Sequence, residues 1–530
     1  MFDEIEKVIP PERPAFIHGD RVISWKQFSQ RSNNIAANLL KNGAKVGDKI
    51  ALYMRNCPEY PEGMVAGFKA RLTHVNVNYR YIENELVYLL DNSDATVCIY
   101  SAEFAEQVSK IREQLPKLTQ WIQVEDGYEG LSDTISYDDY ARTGDGSPLN
   151  DLDRQTTDQL FIYTGGTTGM PKGVMWSHYA LWNVLGGGGN ARAGIPACVD
   201  LEEHVGRVTI NPAPPITLPL PPIMHGTGLL SALMCIAAGG TCITLDSKNY
   251  DAELALTVID KHQVTNVTIV GDAFARPLVD ALNQNHNSCD FSSVSVMSSS
   301  GVMWTREVKA GLLAHNENLM LADGFSSSEA IGLGSSVMTK DEEIDVAKFS
   351  LGPACKVFKE DGTEVMAGSG ETGMVAVSGF LPDGYYKDQV KTDATFKTYD
   401  GIRYSIPGDF VEVMADGTLI LLGRGSNCIN TAGEKVFPEE VEEALKFHDR
   451  IVDCLVVGLA DEKWGQSITA VIELTEGDSL DESELRDFSK MHLAAYKVPK
   501  RILVKDSLER APNGKANYKL IRDFAEKALA

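Results

Sequence analysis

The sequence predicts an α/β fold, with a large N-terminal domain of layered α/β sheets that includes a β-rich subdomain, and a small α+β C-terminal domain. Three observations carry this prediction: a length of 530 residues, an alternation of strand-like and helix-like segments in the first half, and a change of pattern near residue 400. A chain this long exceeds one ordinary hydrophobic core, because such cores stop growing at roughly 250–300 residues. We therefore expect at least two domains.

The first half alternates β-rich runs with amphipathic stretches, which indicates βαβ units and a mostly parallel sheet covered on both faces. The first series predicts a strand over residues 49–54, helices over 60–69 and 83–91, a strand over 95–100 and a helix from residue 102. The second series predicts a strand over 241–245, a helix over 252–262, a strand over 267–270 and a helix near 277–283.

Near residue 400 the pattern changes to short strands joined by a tight turn. Segments 410–414 and 418–422 flank Asp416-Gly417, and an Asp-Gly pair favours the positive φ of a hairpin turn. After this hairpin the pattern predicts a helix opened by Pro438, strands over 452–457 and 468–474, and a helix over 482–491. We place the domain boundary after residue 424, which gives a large domain over 1–424 and a small domain over 425–530.

Composition excludes several classes of protein. With 49 Lys and Arg against 74 Asp and Glu, the formal charge is −25, which repels nucleic acid and anionic lipid. The longest apolar run, 229–238, is far shorter than the roughly 20 residues that cross a bilayer. The nine cysteines form no CxxC pair, and the acidic N-terminal segment lacks a signal-peptide pattern. We expect a cytoplasmic protein with no transmembrane segment and no nucleic-acid partner.

The strongest chemical signal is the segment YTGGTTGMPKG over residues 163–173, directly after the apolar run 160–162. Glycines and threonines in a loop that leaves a strand offer backbone N–H groups and hydroxyls to an anion, and Lys172 adds positive charge. The segment is not a Walker A loop, because Pro171 stands where that motif requires glycine. It predicts a phosphate-binding loop, with a glycine-rich turn of no function as the alternative.

This segment resembles the phosphate loop of the adenylate-forming superfamily, which comprises acyl-CoA synthetases, luciferases and the adenylation domains of peptide synthetases. Further segments match the superfamily in the expected order, and the ordered set is highly specific: 218–225, 299–301, 323–329, 405–409, 423–424, 431–435 and 510–515. Two segments, 270–277 and 421–430, are similar to actinobacterial synthetases that act on fatty acids or steroid side chains.

The resemblance implies ATP, Mg²⁺ and coenzyme A, and a first step that brings a carboxylate onto the α-phosphate of ATP. Two anions repel, so the site must neutralise charge and hold both groups in line. The implied catalytic residues are Lys515, Glu329, Thr168 and His225, with Glu329 as the magnesium ligand. The implied nucleotide and CoA contacts are Thr164, Gly165, Gly166, Thr167, Thr168, Gly169, Lys172, Ser300, Gly301, Asp323, Gly324, Phe325, Ser328, Asp409, Arg424, Lys515 and Gly433.

Several of these residues have plainer alternatives. Phe325 resembles the aromatic residue that stacks on adenine, although most phenylalanines are core residues. Glu329 could instead cap a helix or be a solvated residue. Asp409 and Arg424 resemble ribose and phosphate contacts, but they could form a surface ion pair. Gly433 resembles the glycine of the pantetheine tunnel and could equally serve a tight turn.

Lys515 resembles the lysine that the mobile small domain brings to the α-phosphate and the substrate carboxylate. The resemblance implies that the small domain then rotates about the segment after Arg424, so that CoA can react. Three positions depart from the family pattern without removing a residue on which the chemistry depends: Ser426 at the hinge, Ser326 in the adenine segment and Pro407 before the ribose aspartate.

The resemblance also implies an acyl pocket. Its walls come from Val270, Gly271, Asp272, Gly301 and Val302, and His225 borders the substrate carboxylate. Such pockets are mainly apolar, with a few polar groups that fix orientation. His225 could instead be a structural histidine, and Asp272 could cap the helix that follows it.

The sequence therefore predicts an ATP- and Mg²⁺-dependent acyl-CoA synthetase. Its expected substrate is a medium- or long-chain fatty acid or a bulky apolar carboxylate such as a steroid side chain. Three alternatives stay open: a domain that loads a carrier protein, a luciferase-like oxidative enzyme, and a nucleotide-binding module without catalysis. A homodimer is compatible with the sequence, which does not indicate the oligomeric state.

Overall fold

The computed structural model describes residues 1–164, 170–190, 195–284, 289–302, 304–340, 348–424, 427, 429–431, 434–461, 465–475, 477–479, 481–493, 495–511 and 514–529. The chain forms two compact units. The first unit comprises Met1–Gly332, Val337–Ile344 and Ser378–Ser405, and the second comprises Leu333–Ser336, Asp345–Val377 and Ile406–Ala530. The boundary predicted after residue 424 marks the start of the domain that is expected to rotate, and it stays a prediction.

The first unit is a layered α/β structure. Its helices are α1 (Phe2–Ile5), α2 (Trp25–Lys41), α3 (Glu59–Lys69), α4 (Glu83–Asn92), α5 (Ala105–Ile111), α6 (Tyr137–Arg142), α7 (His178–Val184), α8 (Leu201–Ile210), α9 (Gly226–Ala237), α10 (Ala252–His262), α11 (Asp272–Gln284), α12 (Arg306–His315) and α13 (Gln389–Thr395). Its first seven strands are β1 (Pro14–His18), β2 (Arg21–Ser24), β3 (Lys49–Tyr53), β4 (Thr73–Asn76), β5 (Ala95–Ser101), β6 (Gln120–Val124) and β7 (Ile135–Ser136). The later strands are β8 (Gln159–Thr164), β9 (Lys172–Ser177), β10 (Ile216–Pro219), β11 (Thr241–Thr244), β12 (Asn266–Ile269), β13 (Val296–Ser300), β14 (Met320–Ser327), β15 (Ala330–Met338), β19 (Gly384–Tyr385), β20 (Phe396–Tyr399) and β21 (Ile402–Ser405). The middle of β15, Leu333–Ser336, belongs to the second unit.

Two sheets organise this unit. The first has the order β19-β9-β8-β4-β3-β5-β6-β7 and is parallel except where β9 pairs with β8 and β19. The second runs β2-β1-β11-β10-β12-β13-β14 and is parallel from β1 to β14. Both sheets confirm the predicted parallel α/β architecture. Parallel strands end at the same edge, so the loops that follow them lie together.

Most predicted elements begin and end within one or two residues of the observed ones. The helix predicted near 277–283 is different, because α11 begins at Asp272, five residues before Pro277. Inside a helix, a proline removes one backbone hydrogen bond, and its ring crowds the carbonyl four residues earlier. Pro277 nevertheless lies inside α11, which continues through it, so the sequence pattern placed the start of the helix too late.

The second unit contains an antiparallel sheet and a small α+β module. The first set of strands is β16 (Lys348–Leu351), β17 (Cys355–Phe358), β18 (Thr372–Ser378), β22 (Asp409–Val413) and β23 (Thr418–Arg424). The module is built from β24 (Ile429–Thr431), β25 (Glu434–Val436), α14 (Pro438–Lys446), β26 (Ile451–Asp461), β27 (Gly465–Leu474), α15 (Glu482–His492), β28 (Arg501–Val504) and α16 (Tyr518–Leu529). The turn between β22 and β23 has Gly417 at φ +83°, as the Asp-Gly pair predicts.

The module has its own sheet and core. Its sheet has the order β25-β24-β27-β26, and β28 pairs with β27 in parallel. Helix α14 begins at Pro438, which needs no N–H partner in the first turn. Within the described ranges, no helix combines the length and the apolar character that crossing a bilayer requires.

One buried histidine makes the stability of the first unit depend on pH. His74 lies on β4 in the middle of the first sheet and has no exposed surface. Burial lowers the pKa of its imidazole from 6.5 to about 3. The unfolded chain therefore binds a proton below its ordinary pKa that the folded chain does not bind, and stability falls as the pH falls.

We expect the free energy of unfolding to lose about 2 kcal/mol through this group alone between pH 7.5 and pH 5. His74→Leu should remove that part of the pH dependence, as measured by chemical denaturation at both pH values. His492→Gln, which changes an exposed histidine of α15, is the matched control. Equal pH dependence in His74→Leu and the wild type would contradict this assignment.

Candidate active site

The predicted phosphate loop joins two neighbouring strands of the first sheet. Thr164 ends β8, Lys172 begins β9, and these two residues are partners in the antiparallel register. Of the predicted loop contacts, Gly165, Gly166, Thr167, Thr168 and Gly169 lie outside the described residues. The structure therefore describes both ends of the loop.

The end of β8 is fixed by an amide side chain of β4. Asn76 donates from Nδ2 to the carbonyl of Tyr163 at 3.0 Å and accepts from the N–H of Tyr163 at 2.7 Å. The ring of Tyr163 lies over Gly173, where a Cβ would approach the ring to 2.6 Å. Position 173 consequently requires glycine, and two hydrogen bonds from Asn76 fix the strand end from which the loop starts.

The Lys172 ammonium forms an ion pair with Asp388, which the sequence analysis missed. Asp388 is also the N-cap of α13, where its side chain accepts from the N–H of Lys391 at 2.9 Å. The hydrogen bond from Lys172 holds the pKa of the Asp388 carboxyl below its ordinary value. An aspartate that precedes a helical pattern is a recognisable capping signal, but nothing in the sequence links it to Lys172.

The predicted magnesium ligand, Glu329, lies in the tight turn between β14 and β15. Its Oε1 accepts a hydrogen bond from the hydroxyl of Tyr385 at 2.7 Å, and its carbonyl accepts from the Ser405 hydroxyl at 2.7 Å. The carbonyl of the preceding residue, Ser328, accepts from the Trp176 indole at 2.9 Å. The turn is therefore held from three sides, and the alternative that Glu329 caps a helix is wrong. Sequence reasoning missed Tyr385.

The segment predicted to bind adenine lies largely on β14. Gly324 is the register partner of Ser300 on β13, and Phe325 is buried, with 8% of its surface exposed. Asp323 forms a buried ion pair with Lys309 of α12, at 3.2 Å between Oδ2 and Nζ. The structure therefore gives Asp323 a structural partner beside its predicted nucleotide role.

The predicted pocket residues follow neighbouring parallel strands. Val270 to Asp272 come directly after β12, and Gly301 and Val302 directly after β13, at the same edge of the sheet. Gly271 has φ +56° and donates its N–H to the Ser299 hydroxyl at 2.9 Å, which ties the two loops together. Ligands of open α/β sheets bind at this carboxyl edge.

Two pocket residues had structural alternatives. Asp272 is the first residue of α11, and its Oδ1 accepts from the N–H of Thr305 ahead of α12 at 2.9 Å. This hydrogen bond connects the start of α11 to the start of α12. His225 is the N-cap residue of α9 and is half-buried in the loop after β10, which is the neighbour of β12.

The remaining predicted residues belong to the second unit. Asp409 begins β22 opposite the main chain of Arg424, and it is buried. The alternative that the two side chains form an ion pair stays a prediction. Gly433 and the predicted hinge residue Ser426 lie outside the described residues. Lys515 is exposed and closes a turn in which its carbonyl accepts from the N–H of Ala511 at 2.9 Å.

Comparison with known proteins identifies the family. Residues 6–386 match the model of the AMP-binding enzyme family, and residues 440–515 match the model of the AMP-binding enzyme C-terminal domain. The chain belongs to the AMP-binding enzyme family. The first match alone spans more than half of the chain, so the family predicted from the phosphate loop and the ordered motifs is confirmed.

Two other members of the AMP-binding family are similar to this chain over nearly its full length. A 3-oxocholest-4-en-26-oate–CoA ligase of Rhodococcus rhodochrous is 38% identical over 97% of this chain and 93% of its own length. The medium-chain acyl-CoA ligase Mig of Mycobacterium avium is 38% identical over 97% of this chain and 96% of its own length.

Solved structures confirm the fold of the AMP-binding family. The anthranilate CoA ligase AuaEII matches with a TM-score of 0.83 at 21% identity, over 100% of this chain and 97% of the other. ATP-bound MatB of Rhodopseudomonas palustris matches with a TM-score of 0.82 at 21% identity, over 100% of both chains. At this identity the likeness concerns the fold, and the predicted fold class is confirmed.

The buried pair between Asp323 and Lys309 gives a prediction about stability. Removing one partner of a buried ion pair is strongly destabilising, so Lys309→Met should lower the free energy of unfolding by about 3–5 kcal/mol. The double variant Lys309→Met/Asp323→Asn should recover part of this loss, because it also removes the buried negative charge. Chemical denaturation of both variants tests the pair, and a loss below about 1 kcal/mol in the single variant would contradict it.

Proposed function

We propose that this chain is an ATP-dependent acyl-CoA ligase. It joins a carboxylate to AMP with release of diphosphate, and then transfers the acyl group to the thiol of CoA with release of AMP. The observation that carries the proposal is the similarity to CoA ligases at 37–38% identity over 97% of the chain. The predicted class of enzyme, an acid–thiol ligase, agrees with these relatives.

The substrate class follows from the same relatives. Their names give 3-oxocholest-4-en-26-oate and medium- or long-chain fatty acids as substrates. We propose an acid of this kind for this chain. Four of the five predicted pocket residues, Val270, Gly271, Gly301 and Val302, contribute no charge, and the carboxylate of the fifth, Asp272, accepts a hydrogen bond from the N–H of Thr305. This lining supports a mainly apolar substrate. The half-buried His225 would border the carboxylate.

Glu329 is the residue that would hold magnesium. Mg²⁺ is usually bound by one or two carboxylates together with substrate phosphates, and a carboxylate offers two oxygens with about four lone-pair positions. Tyr385 uses one position on Oε1, so the group as observed fits a metal ligand. When bound, the ion would neutralise phosphate charge, and the chain's own part is to hold the Glu329 carboxylate in one orientation.

The other residues divide the work of the first step. Lys172 and the loop over 165–169 would bind phosphate oxygens, and Phe325 would contact adenine. Asp409 would accept hydrogen bonds from the ribose hydroxyls, with Arg424 as the second contact. Lys515 would stabilise the charge that develops between the carboxylate and the α-phosphate. Rotation of the small domain after residue 424, with Gly433 beside the pantetheine, would then serve the second step.

The central experiment measures diphosphate release with ATP and Mg²⁺ over short, medium, long-chain, aromatic and steroid acids, each with and without CoA. We expect turnover that requires CoA and is highest on one apolar class. Turnover that requires an acyl carrier protein would favour the carrier-loading alternative. ATP binding without diphosphate release from any acid would favour a module without catalysis.

Lys515→Ala should separate the two half-reactions. Loss of one positioned charge at a transition state slows a step about 10²–10³-fold, so adenylation should fall by this factor. Formation of acyl-CoA from a supplied acyl adenylate should stay near the wild-type rate. Lys519→Ala, which changes an exposed lysine on α16, is the matched control. Equal loss of both half-reactions in Lys515→Ala would contradict the proposed role.

Glu329→Gln should raise the Mg²⁺ concentration that gives half-maximal adenylation, because an amide is a much weaker ligand for a hard cation than a carboxylate. Tyr385→Phe removes the hydrogen bond that orients this carboxylate. It should raise the required Mg²⁺ concentration about tenfold, which is less than the rise expected for Glu329→Gln. Magnesium titrations of adenylation measure both shifts. An unchanged Mg²⁺ requirement in Glu329→Gln would overturn the ligand assignment.

A further inference from the structure

The loop that carries Lys515 is anchored by Arg510. Its Nη1 donates to the carbonyl of Gly514 at 3.2 Å, directly before Lys515. The same turn is closed by two backbone hydrogen bonds, from Gly514 N–H to the Ala511 carbonyl at 2.7 Å and from Ala511 N–H to the Lys515 carbonyl at 2.9 Å. One guanidinium therefore holds the residue next to the lysine.

The guanidinium is itself fixed by a carboxylate of β26. Arg510 donates to both oxygens of Asp453, with 2.9 Å from Nη2 to Oδ1, and Lys446 of α14 adds an ion pair to Asp453 at 2.8 Å. Only 17–18% of the Arg510 and Asp453 side chains is exposed. Burial, the largest single effect, would raise the pKa of the Asp453 carboxyl, but the hydrogen bonds and charges of Arg510 and Lys446 together outweigh it, and the pKa lies well below its ordinary value.

The far side of the loop is anchored as well. Tyr518, the first residue of α16, donates to Oε2 of Glu442 at 3.2 Å, and Oε1 of this buried carboxylate accepts from the N–H of Val456 on β26 at 2.8 Å. The chain from Arg510 to Tyr518 is thus tied at both ends to α14 and β26. Lys515 is exposed and has a flexible four-carbon side chain. Anchoring the backbone on both sides of Lys515 gives that side chain a defined starting position.

We propose that Arg510 is a positioning residue for adenylation, because it links the Asp453 carboxylate to the backbone that carries Lys515. This inference rests on the proposed function of Lys515. A bidentate bond to a carboxylate and a third bond to a carbonyl need the planar fork of arginine. A lysine is a point charge that keeps the ion pair with Asp453 and loses the fixed geometry.

The test uses Arg510→Lys in the full-length protein, with Arg450→Lys as the matched control. Arg450 also belongs to the second unit, pairs with Glu484, and donates to the carbonyl of Ser479 at 2.8 Å, away from the Lys515 loop. The probes are dodecanoate with ATP for adenylation and dodecanoyl adenylate with CoA for thioester formation.

We expect Arg510→Lys to slow adenylation about 10–100-fold, since a misplacement near 1 Å can cost about 10²-fold, while thioester formation changes by less than about threefold. In a Lys515→Ala background, Arg510→Lys should cause no further loss of adenylation, because both changes act through one group. Arg450→Lys should leave both half-reactions unchanged. Equal losses in both half-reactions of Arg510→Lys, or additive losses with Lys515→Ala, would overturn the inference.

A second measurement does not depend on turnover. Hydrogen exchange of the peptide over residues 510–518 should be about tenfold faster in Arg510→Lys than in the wild type, and unchanged in Arg450→Lys. If exchange is unchanged in Arg510→Lys, the positioning role is overturned, whether or not dodecanoate is a substrate. If the wild type turns over neither probe but exchange of this peptide is faster in Arg510→Lys, the fatty-acid function is contradicted and the anchoring role of Arg510 is supported.

Discussion

Parallel pairing of strands is the constraint on which the candidate site of the first unit depends. In the second sheet, β10, β12, β13 and β14 run in the same direction, so the segments that follow them reach one edge. The chain can thus bring together His225, Gly271, Gly301 and Phe325, which are separated by up to 100 residues. A shift in the register of these strands would displace both the pocket segments and the adenine segment.

Much of the fold and of the site could be predicted from the sequence, because the signals are local. Periodicity identified α10 at its observed bounds, and an Asp-Gly pair identified the turn between β22 and β23. The phosphate loop was found from its glycines, its threonines and Lys172, all within a short segment. The late start predicted for α11 shows the limit of a local rule, since Pro277 lies inside the helix and not at its first turn.

The residues that the sequence analysis missed act over long separations. Tyr385 reaches Glu329 across 56 positions, and Asp388 reaches Lys172 across 216. Arg510 stands inside a matched motif, yet its partner Asp453 is 57 positions away on β26. A hydrogen bond of this kind depends on which strands become neighbours, and a single sequence does not contain that information. Asp323 is a mixed case, because its motif was found and its ion pair with Lys309 was not.

The short segment from β19 to α13 has a consequence for building chimeras between family members. Tyr385 holds the carboxylate of Glu329, and Asp388 holds the ammonium of Lys172, so one stretch of chain serves two distant motifs. Grafting a phosphate loop from a relative without this stretch would combine a lysine from one parent with a counter-ion selected for another. Crossover points placed outside both segments would exchange the loop and its electrostatic support as one block.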